Sequence, residues 1–196
     1  MSRFILGITG NIATGKSTVV KMLIEKGAHH VDSDVVYHEL VAPGMPLLQS
    51  LVDHFGEDIL TADGSLDRKA LGAIVFSDKS KLAELDALTH PAVIAEADRR
   101  AFAIEDGVVI LDAVKLIESG HHEVCDAVWL ITAPEEQQVQ RVMNRNNVDK
   151  AEATRRVAAQ PPLGPKREVA DVEIVNDGSL EDLRARVDQS WTDLRG

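Results

Sequence analysis

The 196-residue sequence predicts an α/β fold: a doubly wound, mainly parallel five-stranded sheet with a helical insertion and a short helical lid. Three observations carry this. Short apolar, β-branched runs recur along the chain with helical patterns between them, an alternation that requires parallel strands joined by crossover helices. The first run leads into Gly10-Asn11-Ile12-Ala13-Thr14-Gly15-Lys16-Ser17, which fits G-x-x-x-x-G-K-[ST] and makes the sheet one of P-loop NTPase type. A helical stretch between the second and third runs is longer than a crossover needs.

Taken in order, residues 4–8 (Phe-Ile-Leu-Gly-Ile) are short and branched enough for a buried first strand. After the glycine loop, Val19 pairs with Leu23 and Val20 with Ile24 at helical spacing, and Gly27 supplies a stop. A weaker second strand ends at Val31. Residues 35–106 read as a helical insertion: Leu47, Leu48, Leu51, Val52 and Phe55 form one face, Leu71, Ile74 and Val75 another, and Leu82, Leu85 and Leu88 a third. Such an insertion is expected over the carboxyl edge of the sheet, where doubly wound folds bind ligands. Further strands follow at 107–111, 127–131 and 172–175. Ser179 with Asp182 three residues on marks the last helix, whose stripe of Leu180, Leu183, Val187 and Trp191 belongs to the core. The expected organisation is a core of 1–34, 107–140 and 168–196, the 35–106 insertion, and a lid at 141–167.

Composition narrows the function. A net charge of −11 and a pI near 5.0 argue against general nucleic-acid affinity and against an anionic membrane surface. The single cysteine, Cys125, reads as a buried passenger and excludes a cysteine-rich zinc site. Neither a signal segment nor an 18-residue apolar run is present, so the expectation is a cytoplasmic protein; it is also expected to be a monomer or weak homo-oligomer. Against this acidic background, residues 141–167 carry seven basic side chains against Asp149 and Glu152, a local charge of +5. They form either a basic helical hairpin closing over polyphosphate or a solvated charged face.

The glycine loop points to anion capture. Backbone N–H groups converge on the ligand, the helix N-terminus adds positive potential, and the Lys16 ammonium reaches the outer phosphates. Gly10 through Thr18 are therefore the expected nucleotide-binding set, with ATP the ligand and Ser17 placed to hold Mg²⁺. Asp112, ending Val108-Val109-Ile110-Leu111, is the second expected metal residue. Phosphoryl transfer also needs a carboxylate that orients the nucleophile. Asp32 and Asp34 are the candidates, sent to one side by strand alternation, with an Asx turn or helix cap as the competing role for either. Arg141 and Arg145, at i and i+4, present two guanidiniums from one helix face to phosphate oxygens.

Together these residues resemble the dephospho-coenzyme A kinase family over nearly the whole chain. The loop from Ile8 to Ser17 is similar, as is Val31-Asp32-Ser33-Asp34. So are Phe55-Gly56, Asp63-Gly64-Ser65-Leu66-Asp67-Arg68, Val75-Phe76 and Thr89-His90-Pro91, and in the last third Arg141, Gln160, Ala170-Asp171 and Asn176. The resemblance implies ATP-dependent phosphorylation of the ribose 3′-hydroxyl of dephospho-coenzyme A, yielding coenzyme A and ADP. By it Asp34 is the general base, Lys16 and Arg141 complete the catalytic set, Arg145 binds nucleotide, and 35–106 binds coenzyme A. Asp32, Arg68, His90 and Lys115 would contact the acceptor. The alternatives are a surface ion pair with Asp67 for Arg68, a packed helix-end residue for His90, and a solvated side chain for Lys115.

The sequence departs from the family pattern in three places. Asn11 and Ala13 stand where glycine is usual, and Ala13 is strained if its position needs a positive φ. Asp112-Ala113-Val114-Lys115 replaces a run that usually contains proline and leucine. The adjacent pairs His29-His30 and His121-His122 point apart on regular elements, so no metal site is expected in them. A nucleoside or nucleoside-monophosphate kinase shares much of this chemistry, but the Leu-Asp-Arg and His-Pro elements in a long insertion favour the larger acceptor. A guanine-nucleotide switch would carry an Asn/Thr-Lys-x-Asp motif, which the chain lacks.

Overall fold

In the computed structural model, which describes residues 2–195, five strands form one sheet in the order β2-β3-β1-β4-β5. They are β1 (Phe4–Thr9), β2 (His29–Asp32), β3 (Val108–Asp112), β4 (Ala127–Thr132) and β5 (Val172–Val175). The helices are α1 (Lys16–Glu25), α2 (Ser33–Leu40), α3 (Pro46–Phe55), α4 (Arg68–Val75), α5 (Lys79–Phe102), α6 (Glu135–Asn146), α7 (Lys150–Ala158), α8 (Gly164–Val169) and α9 (Leu180–Arg195). The chain divides into two compact units, one of residues 1–31 with 104–196 and one of residues 32–103.

In the first unit β1 lies between β3 and β4 and pairs in parallel with both, Ile8 opposite Asp112 and Thr9 opposite Leu130. These strands are apolar throughout because both sheet faces are covered. Leu6, Ile8, Val108, Ile110, Trp129 and Ile131 pack against Val19, Met22 and Leu23 of α1 and Leu183, Val187 and Trp191 of α9. On the opposite face a Cβ at Gly7 would lie 2.7 Å from Leu116 and 2.8 Å from the Cys125 sulfur. Only glycine lets the segment after β3 approach β1 so closely. Cys125 is half-buried rather than buried, sitting at the rim of this contact.

Helix α9 begins with a reciprocal cap. The Ser179 amide and hydroxyl donate to the Asp182 carboxylate at 2.8 and 2.7 Å, and the Asp182 amide donates back to the Ser179 hydroxyl at 3.1 Å. Leu180, expected in the core stripe, is 61% exposed. It occupies the first helical position, before the helix has come under cover, so only Leu183, Val187 and Trp191 are buried.

The second unit is helical with its own core. Val41, Leu47, Leu51, Ile59, Leu71 and Val75 are buried together, with Val52, Phe55, Ile74, Leu82, Leu85 and Leu88 packed against them. Asp67 caps α4 by accepting from the Lys69 and Ala70 amides, and Asp78 caps α5 by accepting from the Ser80 amide. Helix α5 runs 24 residues through Pro91, so the Leu82–Leu88 face is its first half.

Candidate active site

The glycine loop joins β1 to α1. At its end Gly15 has φ 99°, and a Cβ there would collide with the Asn176 amide nitrogen, which donates to the Thr14 carbonyl at 2.8 Å. The position therefore needs glycine both for its left-handed backbone and for the closeness of Asn176. Ala13 has φ 59°, so the strain that its sequence position raised is present. The left-handed region costs an L-residue about 1–2 kcal/mol. The surroundings hold it there: Arg141 donates to the Ala13 and Thr14 carbonyls at 3.2 and 3.4 Å, and Ile12 and Ala13 pack against Val139, Val142, Ala153 and Val157 of α6 and α7. The Ile12 amide donates to Gln160 and the Asn11 side chain donates to the Pro161 carbonyl, at 3.2 and 3.0 Å.

Lys16 opens α1 and forms a salt bridge with Asp112, the last residue of β3. Adjacent parallel strands place their carboxyl ends side by side, which brings the loop lysine and this carboxylate together. Asp112 is 4% exposed, and His30 of β2 stands 3.4 Å from its second oxygen. Burial by itself would raise the Asp112 pKa. The hydrogen bond from His30 and the charge of Lys16 outweigh it, so the carboxyl sits below its ordinary value and is ionised at neutral pH. His30 was passed over in the sequence because adjacent histidines point apart. They do, and that is what leaves one of the pair facing β3.

Ser17 is exposed in the first turn of α1, and the Thr18 amide donates to the carbonyl of Gly15, the residue before the helix, at 2.9 Å. Arg141, on α6, also bonds Gln137 at 2.9 Å and the Asn176 carbonyl at 3.2 Å. Arg145, one turn on, is exposed and donates to the Asn146 side chain, so only the first arginine of the pair reaches the loop. The segment expected as a lid begins inside α6, a helix continuous from Glu135, and Asp149 caps α7 by accepting from the Glu152 amide at 2.8 Å. The Glu152 carboxylate bonds Arg155 and Arg156, so part of the positive charge is neutralised locally. Lys166, counted among those charges, is 1% exposed. Lys115 is half-buried in the segment after β3.

In the helical unit, Asp32 and Asp34 do not share a strand face. The strand ends at Asp32, whose carboxylate caps α2 by accepting from the Asp34 and Val35 amides at 2.8 and 3.2 Å. Asp34 lies exposed in the first helical turn. Alternation was the wrong rule because Asp32 is itself the helix cap. Arg68 is exposed at the start of α4. Its neighbour Asp67 spends its carboxylate on the cap, and its charge is felt by Tyr37, whose pKa burial raises and Arg68 pulls back. His90 is in the middle of α5, not at a helix end, 3.4 Å from the Asp86 carboxylate.

A glycine loop leading into a helix N-terminus, a lysine on a buried carboxylate and an exposed helix-start serine can hold a polyphosphate chain. Comparisons with known proteins point to one family. A family model described as dephospho-CoA kinase matches residues 4–182. A Carboxydothermus hydrogenoformans dephospho-CoA kinase is 40% identical over 186 residues, covering 93% of this chain and 90% of that protein. A Thermus thermophilus crystal structure superposes with a TM-score of 0.83 at 34% identity, each chain fully covered. A Campylobacter jejuni dephospho-CoA kinase gives a TM-score of 0.70 at 25% identity, over 98% of this chain and 97% of that one.

Proposed function

Because the chain belongs to the dephospho-CoA kinase family, whose members phosphorylate dephospho-coenzyme A in coenzyme A biosynthesis, we propose how its residues divide that reaction. The observation that carries the reading is the Lys16–Asp112 pair at the adjacent carboxyl ends of β1 and β3, directly after the glycine loop.

ATP is the phosphoryl donor, cradled by Gly10, Asn11, Ile12, Ala13, Thr14, Gly15, Lys16, Ser17 and Thr18. Lys16 turns its charge to the β- and γ-phosphates. Arg141 keeps a positive charge beside the loop while bracing its backbone, which supports a role in holding the loop in its reactive shape. Arg145, exposed one turn further along α6, contacts the outer phosphates. The Ser17 hydroxyl and the ionised Asp112 carboxylate are hard oxygen donors, too few to cage a metal alone. That suits Mg²⁺, which keeps several waters and shares phosphate oxygens. When bound, Mg²⁺ supplies charge neutralisation across the phosphates.

The acceptor's ribose 3′-oxygen attacks the γ-phosphorus, the bond from that phosphorus to the β-bridging oxygen breaks, and ADP leaves. Asp34 takes the hydroxyl proton as general base, which its exposure in the first turn of α2 permits. Asp32 fixes that turn through its cap and faces the acceptor with its remaining lone pairs. Arg68, His90 and Lys115 contact the acceptor, residues 35–106 serve as its binding domain, and 141–167 is the lid, anchored at its far end by the buried Lys166. The test is Lys16→Ala. Turnover should fall at least about 10²-fold, the usual cost of one preorganised donor at a developing charge. Kinase activity within a few-fold of wild type would refute the loop assignment.

A further inference from the structure

We propose that Lys166 is a positioning residue for the phosphoryl acceptor, acting through residues 113–118, the segment that leaves the carboxyl end of β3. This rests on the reading of the chain as a dephospho-coenzyme A kinase. Lys166 lies on α8, and its side chain is among the most completely buried in the protein, at 1% exposure. Its ammonium has three protons and three acceptors: the Val114 carbonyl at 2.8 Å, the Glu118 carboxylate at 3.0 Å and the Thr9 hydroxyl at 3.3 Å. Thr9 passes its own proton to the same Val114 carbonyl at 3.0 Å. An ammonium taken out of water is costly unless fully paired, and an apolar side chain of similar length would fill the place without that cost. What the lysine adds is the set of bonds it makes.

Those bonds pin one short segment at both ends. Val114 is two residues past Asp112, and Glu118 is four further on. Thr9 is the last residue of β1, next to Gly10 of the glycine loop, and the Ala113 amide donates to the Ile8 carbonyl at 3.2 Å. The backbone of 113–118 is thus tied to the end of β1, with Lys115 between the two points that Lys166 holds. Ligands of open α/β sheets bind outside the carboxyl ends of the strands, so this segment borders the reacting group. The glycine loop is braced separately, by Arg141 and Asn176 on the Ala13 and Thr14 carbonyls. Loosening 113–118 should therefore move acceptor binding and leave nucleotide binding in place.

The experiment is Lys166→Met, read by kinetics on both substrates and by trypsin cleavage after Lys115. We expect the KM for dephospho-coenzyme A to rise about tenfold or more, as for loss of hydrogen bonds to a charged group, with the KM for ATP within about twofold of wild type. Cleavage at Lys115 should accelerate at a temperature where the rest of the chain stays intact. Glu118→Gln, which keeps the fold and the other two acceptors, should shift both readouts the same way by a smaller factor, and it decides the matter if Lys166→Met does not fold. An unchanged acceptor KM, an equal rise for ATP, or a loss of active fraction alone overturns the proposal. Wild-type enzyme inactive on dephospho-coenzyme A would overturn the functional reading instead, while the cleavage rates would still report whether Lys166 pins the segment.

Discussion

Asp34 and Asp32 occupy one turn of chain but do different physical work. Asp32 accepts two backbone amides as a helix cap, whereas Asp34 presents its carboxylate from the first turn of α2. A base, the role proposed for Asp34, needs exposure to its substrate, and a cap needs its lone pairs spent on the backbone. Asp34→Asn should therefore leave ATP affinity near wild type and lower turnover by about 10²–10⁴, the range for a positioned general base. Single-turnover rates and an equilibrium ATP titration check this together. Collapse of ATP affinity would make Asp34 a metal or structural residue. What was legible from spacing alone was which residues are candidates, since the loop motif names Lys16 and Ser17, and an apolar run ending in Asp names Asp112. Their orientation was not. His30 on Asp112 and Lys166 beneath Val114 depend on which strand lies beside which, and no local pattern encodes that.

Elements were most legible where capping chemistry is local. Ser179 with Asp182, and Asp149 with the Glu152 amide, act over three residues and appear as the spacing requires. Leu180 was misplaced because periodicity says which residues share a face but not where cover begins. Helix α5 shows a further local device. Glu96 accepts from Arg99 and Arg100, and Arg100 also reaches Glu39 of α2. These hydrogen bonds, chiefly that from Arg99, lower the Glu96 pKa from its ordinary 4.5 to about 2. A depressed folded-state pKa contributes stability that is fully present above the unfolded value and is lost as pH falls through the folded one. Glu96→Gln should accordingly be less stable than wild type at neutral pH, and the gap should narrow as pH falls from 4.5 toward 2. Urea denaturation at a series of pH values measures the gap. A difference that does not vary with pH would show that the Glu96 charge contributes nothing.

For the molecule as a whole, the parallel sheet followed from alternation, because strands covered on both faces must be apolar throughout. The helical unit at 32–103 begins three residues before the predicted insertion, because Asp32, the last residue of β2, is also the cap of α2. Charge is uneven on this scale too. A chain of −11 concentrates positive side chains after Arg141, although Lys166 is buried and Arg155 and Arg156 share Glu152. Composition shows such an excess but not how much of it reaches solvent. The central claim, that this sheet and its helical unit transfer phosphate from ATP to dephospho-coenzyme A, is tested most directly by ADP release with ATP and Mg²⁺. Dephospho-coenzyme A is compared with a panel of nucleosides and nucleoside monophosphates. The account predicts saturable turnover with dephospho-coenzyme A alone and coenzyme A as product. Silence with that acceptor and turnover with a monophosphate would contradict it.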